Sequence, residues 1–218
     1  MTQDIARYRA RLQEEAEAAR YAARFERGSR ARIDRREQRA LRRILAGLSD
    51  CRSVLDVPCG AGRFLPTLAG TQRRVIGVDA AGPILAHARA RAAAVSIPAA
   101  WIQGDAARLP LRDETVDAVF CNRLLHHIRR PEERAVILRE LRRVARRYVI
   151  VSFFDYHRFG ALRRLLKRLK GARPNYALQP TREAFTAEVA ACGLRLREIV
   201  PTGPFWVAKH YFVLEKIR

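Results

Sequence analysis

The sequence predicts an α/β fold: a doubly wound, mainly parallel seven-stranded sheet, with an antiparallel hairpin at its C-terminal edge and a helical extension at its N-terminus. Two observations predict it. Between residues 53 and 154, short apolar runs rich in β-branched residues alternate with segments of helical period. After residue 180, one helical segment is followed by two apolar runs close together in sequence. Strands separated by helices form right-handed parallel βαβ units, whereas strands joined by a short link pair antiparallel.

Each element follows in order. Residues 4–26 and 31–48 read as helices broken at "RGSR" by Gly28 and Ser29, and in the second Ile33, Leu41, Ile44, Leu45 and Leu48 share one face. "SVLDV" (53–57) is a short buried strand, followed by a glycine turn and a helix over 62–69. "RRVIGVD" (73–79) precedes a helix from Gly82 to about Ala94, and "AAWIQGD" (99–105) leads through a polar loop to "VDAVFCN" (116–122). Pro131 opens a helix over 131–147 from the favoured first position, and "YVIVSFF" (148–154) follows as a strand. Residues 158–170 form a basic amphipathic segment, 181–193 a helix, and "LRLREIV" with "AKHYFVLEKI" the closing hairpin. The expected organisation is 1–48 as N-terminal helices and 49–218 as the main domain, with 155–180 an insertion on the substrate side.

Composition narrows the function classes. A chain of 218 residues, 49% apolar, supports one sizeable core. It contains no apolar run long enough to span a membrane, and its first residues lack the apolar stretch of a secretory signal. Cys51, Cys59, Cys121 and Cys192 are scattered, which fits reduced thiols in a cytoplasm rather than a disulfide framework or a zinc site, and no metal is expected. The net charge of +21 has two readings, a solvated basic surface or an anionic partner such as nucleic acid or a membrane.

The stretch "SVLDVPCGAGRF" poses the functional question. Glycine lets backbone approach a ligand, and a following helix offers unpaired N–H groups. In a doubly wound sheet, ligands lie beyond the carboxyl ends of the strands. Asp56, Asp79, Asp105, Cys121 and Asn122 all fall at such ends. An acid about 20 residues beyond the glycines suits a ribose diol. Asp56 entering the turn favours a ligand bearing an ammonium group over a pyrophosphate, and no Gly-Lys-Ser/Thr of a P-loop follows.

In that order and spacing, "LDVPCGAGRF", "VIGVD" and "GDAARLPLRDETVDAVFCNRLLHHI" resemble a Rossmann-like class I S-adenosylmethionine-dependent methyltransferase, more narrowly the branch that includes the ubiquinone/menaquinone-biosynthesis methyltransferases. The resemblance implies that S-adenosyl-L-methionine is the cofactor. Asp56, Pro58, Cys59, Gly60, Gly62 and Arg63 would hold its methionine end. Asp79, with Ala80, would take the ribose hydroxyls, Asp105 and Ala106 the adenine edge, and Cys121 and Asn122 the methionine amino group. Pro58 stands where the family turn begins with glycine, so this turn must do without a donor there.

Methyl transfer needs a base only if the acceptor must lose a proton. His126 and His127 stand after the fourth strand, where amide and amine methylases carry an Asn-Pro-Pro-Tyr type signature, so O- or C-methylation is favoured. Either histidine is a candidate base, or both are packing residues. Tyr21, Arg24 and Phe25 are candidates for a lid over the cofactor. The expected acceptor is a small molecule or lipid. In 158–170, Arg158, Arg163, Arg164, Lys167, Arg168 and Lys170 flank an apolar stripe suited to peripheral contact with an anionic membrane from the cytoplasmic side. Two alternatives stand: an RNA methyltransferase exploiting the basic surface, which lacks a visible RNA-binding module, and a non-catalytic S-adenosylmethionine-binding protein.

Overall fold

The computed structural model describes residues 13–70, 72–155 and 180–217. In chain order these form α1 (Glu15–Ala22), a 3₁₀ turn (Ala23–Phe25), α2 (Gly28–Ala46), β1 (Ser53–Asp56), α3 (Leu65–Ala69), β2 (Arg74–Asp79) and α4 (Gly82–Ala94). Then come β3 (Ala99–Gln103), β4 (Val116–Cys121), a 3₁₀ turn (Leu125–His127), α5 (Pro131–Val144), β5 (Ala145–Phe154), α6 (Arg182–Ala191), β6 (Leu194–Pro201) and β7 (Lys209–Lys216). The strands hydrogen-bond in the order β3-β2-β1-β4-β5-β7-β6. All pairs from β3 to β5 are parallel, and β7 runs antiparallel to both β5 and β6. The strand order reverses between β1 and β4, which opens a crevice at their carboxyl ends.

The central strands bury both faces, and their period of two divides the core in half. Leu55, Val119, Val149, Val151, Phe212 and Leu214 pack on one side with Ile137, Leu138 and Leu141 of α5 and Phe185 and Val189 of α6. Val54, Phe120, Ile150, Tyr211 and Val213 pack on the other with Leu41, Ile44 and Leu45 of α2 and Leu65 and Leu68 of α3. Because β7 is antiparallel, its first residue, Lys209, arrives at the same end of the sheet as the last residues of β1 and β4.

Local signals set several boundaries. Pro131 opens α5, and the Thr181 hydroxyl caps α6 by accepting from the Ala184 N–H at 3.2 Å. Three expectations need correction. The break near "RGSR" falls at Gly28 itself, whose φ of +63° starts α2 three residues earlier than 31. The helix after the glycine turn covers only Leu65–Ala69, because residues 57–64 remain in the turn. The helix from Pro131 ends at Val144 rather than 147, since Ala145 pairs with Val116 and ladder hydrogen bonds override the helix preference of "ARR". Residues 4–12 and the amphipathic stretch 158–170, with nearly all of the expected 155–180 insertion, lie outside the described residues.

Candidate functional site

The glycine turn leaves β1 at Asp56 and is held by three backbone ties. Cys59 N–H donates to Val78 O at 2.9 Å, Gly60 N–H to Asp79 Oδ2 at 2.8 Å, and Gly62 N–H to Cys59 O at 3.0 Å. Gly60 and Gly62 adopt φ of +53° and +68°, a region where other residues are strained. A Cβ on Gly60 would lie 3.3 Å from the Tyr21 ring. One on Gly62 would lie 3.2 Å from Trp101 and 3.3 Å from Ala88 Cβ, so Gly62 serves close packing against β3 and α4.

Tyr21, Ala22, Phe25, Pro58, Cys59, Gly60, Ala61, Arg63, Phe64, Asn122 and Arg123 line a small cavity at the switch point. Tyr21 and Phe25, from the N-terminal helices, close it over. A larger opening lies at the opposite end of the sheet, among residues 69–70, 72–76, 96–100 and 115–116. Size is the poorer guide here, because ligands of doubly wound sheets sit at the carboxyl ends.

The other expected residues fall as follows. Asp79 is buried, and its second oxygen accepts from the Ala81 N–H at 3.1 Å, so this carboxylate ties the turn to the start of α4. Ala80 O accepts from Gln103 Nε2 at 3.1 Å. Asp105 Oδ1 accepts from the Ala107 N–H at 2.8 Å, and the Ala106 side chain packs in the apolar core. Burial pushes the Asp56 carboxyl well above its usual range, against the opposing pull of Arg63. Burial also raises the Cys59 and Cys121 thiols, which makes them poor nucleophiles; Cys121 lies in the apolar core. Arg24 packs beside Tyr21 and Phe25, with its guanidinium about 6.0 Å and 5.8 Å from their ring centres, and is not among the residues lining the cavity.

His126 packs against His127 at 3.9 Å and Phe154 at 4.5 Å between ring centres, with the rings tilted, and lines a separate small cavity. Burial, then the neighbouring His127, Arg123 and Lys209, pushes the His126 imidazole down to about 2. Burial, then Arg123 and Arg24, lowers His127 as well.

The structure adds an ionic hub that the sequence reading did not assign. Glu37, 1% exposed on α2, accepts from Arg123 Nη2 at 2.6 Å and Lys209 Nζ at 2.7 Å through Oε1, and from Arg63 Nη2 at 2.5 Å through Oε2. Arg63 also pairs with Asp34, and its guanidinium lies 4.2 Å over Phe25 and 4.1 Å over Phe64. Lys209 Nζ donates to Asn122 Oδ1 at 2.6 Å, which fixes the Asn122 amide on the cavity wall. Although burial opposes it, the three cations hold the Glu37 carboxyl down at about 2. Burial and the two guanidiniums bring Lys209 down to about 7 despite its pairing with Glu37. Both directions follow from one carboxylate shared among three cations. The signal for this hub was present: Glu37 and Gln38 fall on the helix face set by Leu41, Ile44 and Leu45.

Residues 54–147 match the family model described as a methyltransferase domain. The chain is 30% identical over 120 residues to a 2-phytyl-1,4-naphtoquinone methyltransferase of Synechocystis sp., a match covering 53% of this chain and 49% of that protein. It is 32% identical over 91 residues to a probable tRNA methyltransferase 9B of Mus musculus, covering 42% of this chain and 19% of that one. The chain thus spans about half, or less, of the length of these curated relatives. Among solved structures, magnesium protoporphyrin IX methyltransferase from Synechocystis PCC 6803 with bound SAH superposes with a TM-score of 0.75 at 19% identity, over 98% of this chain and 100% of that one. Residues 54–147 thus match a methyltransferase domain, and the chain shares its fold with the solved S-adenosylmethionine-dependent methyltransferase.

Proposed function

We propose that this protein transfers a methyl group from S-adenosylmethionine to a small organic acceptor, with O- or C-methylation favoured. The observation that carries the reading is the cavity at the β1/β4 switch point, walled by a left-handed glycine turn that is tied to a buried strand-end acid. These residues suit the cofactor. Gly60 presents backbone where a side chain would meet Tyr21, Asp79 sets a carboxylate at the end of β2 beside the turn, and Asn122 stands on the wall. When bound, the sulfonium supplies an activated methyl group for in-line displacement.

In this reading Asp56, Pro58, Cys59, Gly60 and Arg63 shape the seat of the methionine end. Asp79 takes the ribose, the Asp105 loop borders the adenine, and the backbone at Cys121 and Asn122 meets the amino group. Tyr21 and Phe25 exclude water, and the site works chiefly by positioning. A histidine held near 2 is a weak proton acceptor, so His126 acts in packing, and His127 is the remaining candidate base. The named relatives that act on a quinone and a porphyrin support a small organic acceptor. The tRNA methyltransferase relative and the +21 charge support RNA as the second reading.

Peripheral membrane contact rests on the sequence of 158–170 alone; among the described residues no helix is long and apolar enough to cross a membrane. A vesicle sedimentation assay should show binding that rises with anionic lipid and falls with salt. Equally poor binding to neutral and anionic vesicles would remove it. To test the function, enzyme and methyl-labelled S-adenosylmethionine are incubated with a metabolite and lipid extract and, separately, with total RNA. Label in the organic-extractable fraction is expected. Label only in RNA would install the second reading, and label in neither would leave a binding protein without transfer.

A further inference from the structure

We propose that the cavity beside the glycine turn seats a carboxylate of the methyl acceptor on Arg123, with Lys209 and Arg63 behind it; this deepens the methyltransferase reading and rests on it. Three observations converge there. The hub gathers three cations, Arg63, Arg123 and Lys209, around two carboxylates, Glu37 and Asp34. Lys209 and Glu37 are almost wholly buried, and water does little to screen such a surplus. An anion entering the cavity, whose wall includes Arg63 and Arg123, would balance it.

Arg123 of the hub and Tyr211, beside Lys209, each carry a donor without a partner among the described residues. Arg123 Nε and Tyr211 Oη are buried and make no hydrogen bond, although buried polar groups are nearly always satisfied. Tyr211 is fully buried, and Lys209 Nζ lies 4.9 Å from its ring centre. Arg123 spends Nη2 on Glu37, and the rest of its guanidinium, on the cavity wall, is left for a planar oxyanion.

Arg123 is finally held in an unfavourable backbone state. Its φ is +61°, in the left-handed region, while its N–H donates to Ser152 Oγ at 2.7 Å. A non-glycine residue kept there is strained and persists where the surroundings over-determine it, often at a ligand site. The strain aims one guanidinium at the junction of Glu37, the Phe25 ring at 5.2 Å and the cavity.

The test uses the full chain saturated with S-adenosylhomocysteine, whose own binding is measured first. Benzoate is the probe and benzamide its uncharged isostere, titrated by calorimetry at physiological ionic strength. Benzoate should bind the complex at least ~10-fold more tightly than benzamide, and Arg123→Gln should abolish that preference. The wild-type comparison needs no variant, and Arg123→Lys, which keeps the charge but loses the planar fork, should reduce the preference if Arg123→Gln does not fold. Equal binding of the two probes, or benzoate that binds only when S-adenosylhomocysteine is absent, would overturn the proposal; the latter would give the seat to the cofactor's own carboxylate. Failure of S-adenosylhomocysteine itself to bind would instead fell the underlying methyltransferase reading, and this inference with it.

Discussion

Replacing Glu37 with Gln should be among the most damaging single changes on α2. The carboxylate is 1% exposed and accepts from three cations, Arg63, Arg123 and Lys209, at 2.5–2.7 Å. Its pKa falls from 4.5 to about 2 on folding, and each unit is worth about 1.4 kcal/mol, so its ionised form contributes on the order of 3 kcal/mol. Breaking a buried ion pair from one side costs about 3–5 kcal/mol, and the two estimates overlap. Because Lys209 sits near 7 and can shed its proton, the lower end is expected. The sign follows from a depressed carboxylate: the contribution is complete above pH 4.5 and is lost as pH falls toward 2. Urea unfolding at pH 7 should therefore show Glu37→Gln about 3 kcal/mol less stable, with the gap narrowing below pH 4.5. A difference under about 1 kcal/mol at pH 7, or one unchanged with acid, would refute the hub as a stabilising unit.

Gly77→Ala should destabilise by about 1–3 kcal/mol and shift Trp fluorescence, because the added Cβ would lie 2.4 Å from the Trp101 ring; an unshifted spectrum with wild-type stability would contradict that packing. Gly60→Ala should cost about 1 kcal/mol by thermal unfolding, from a φ of +53° and contact with Tyr21, and should also weaken S-adenosylhomocysteine in calorimetry. His126 is kept neutral by burial, so the unfolded chain takes up a proton below 6.5 that the folded chain refuses. Stability should then fall with pH below 6.5, and His126→Gln should flatten the slope by up to about 1.4 kcal/mol per unit.

The fold was legible because alternation of period two and helical segments leaves few topologies. Val119, Val149 and Phe212 fall on one face, and Phe120, Ile150 and Tyr211 on the other, as strict alternation requires. Helix ends were less legible where ladder pairing competes: nothing local in "RRVARR" says that Ala145 will pair with Val116. In the site, the strand-end acids could be read from position, but not that both Asp79 oxygens accept from backbone N–H groups. The hub was hidden because residues 37, 63, 123 and 209 meet only through the strand order, which places β7 beside β5 and its first residue at the cavity end. A lysine in an arginine-rich chain and a Glu on an apolar helix face were the only marks it left.

Calorimetric titration of the full chain with S-adenosylmethionine, S-adenosylhomocysteine and NAD tests the central claim most directly. Both sulfur ligands should bind with dissociation constants of about 1–100 μM, NAD should give no heat of binding, and Asp79→Ala should weaken both by ~10-fold, the scale of a hydrogen bond to a charged group. Saturable NAD binding without S-adenosylmethionine binding, or equal affinities in wild type and Asp79→Ala, would contradict the placement of the cofactor on the glycine turn and Asp79.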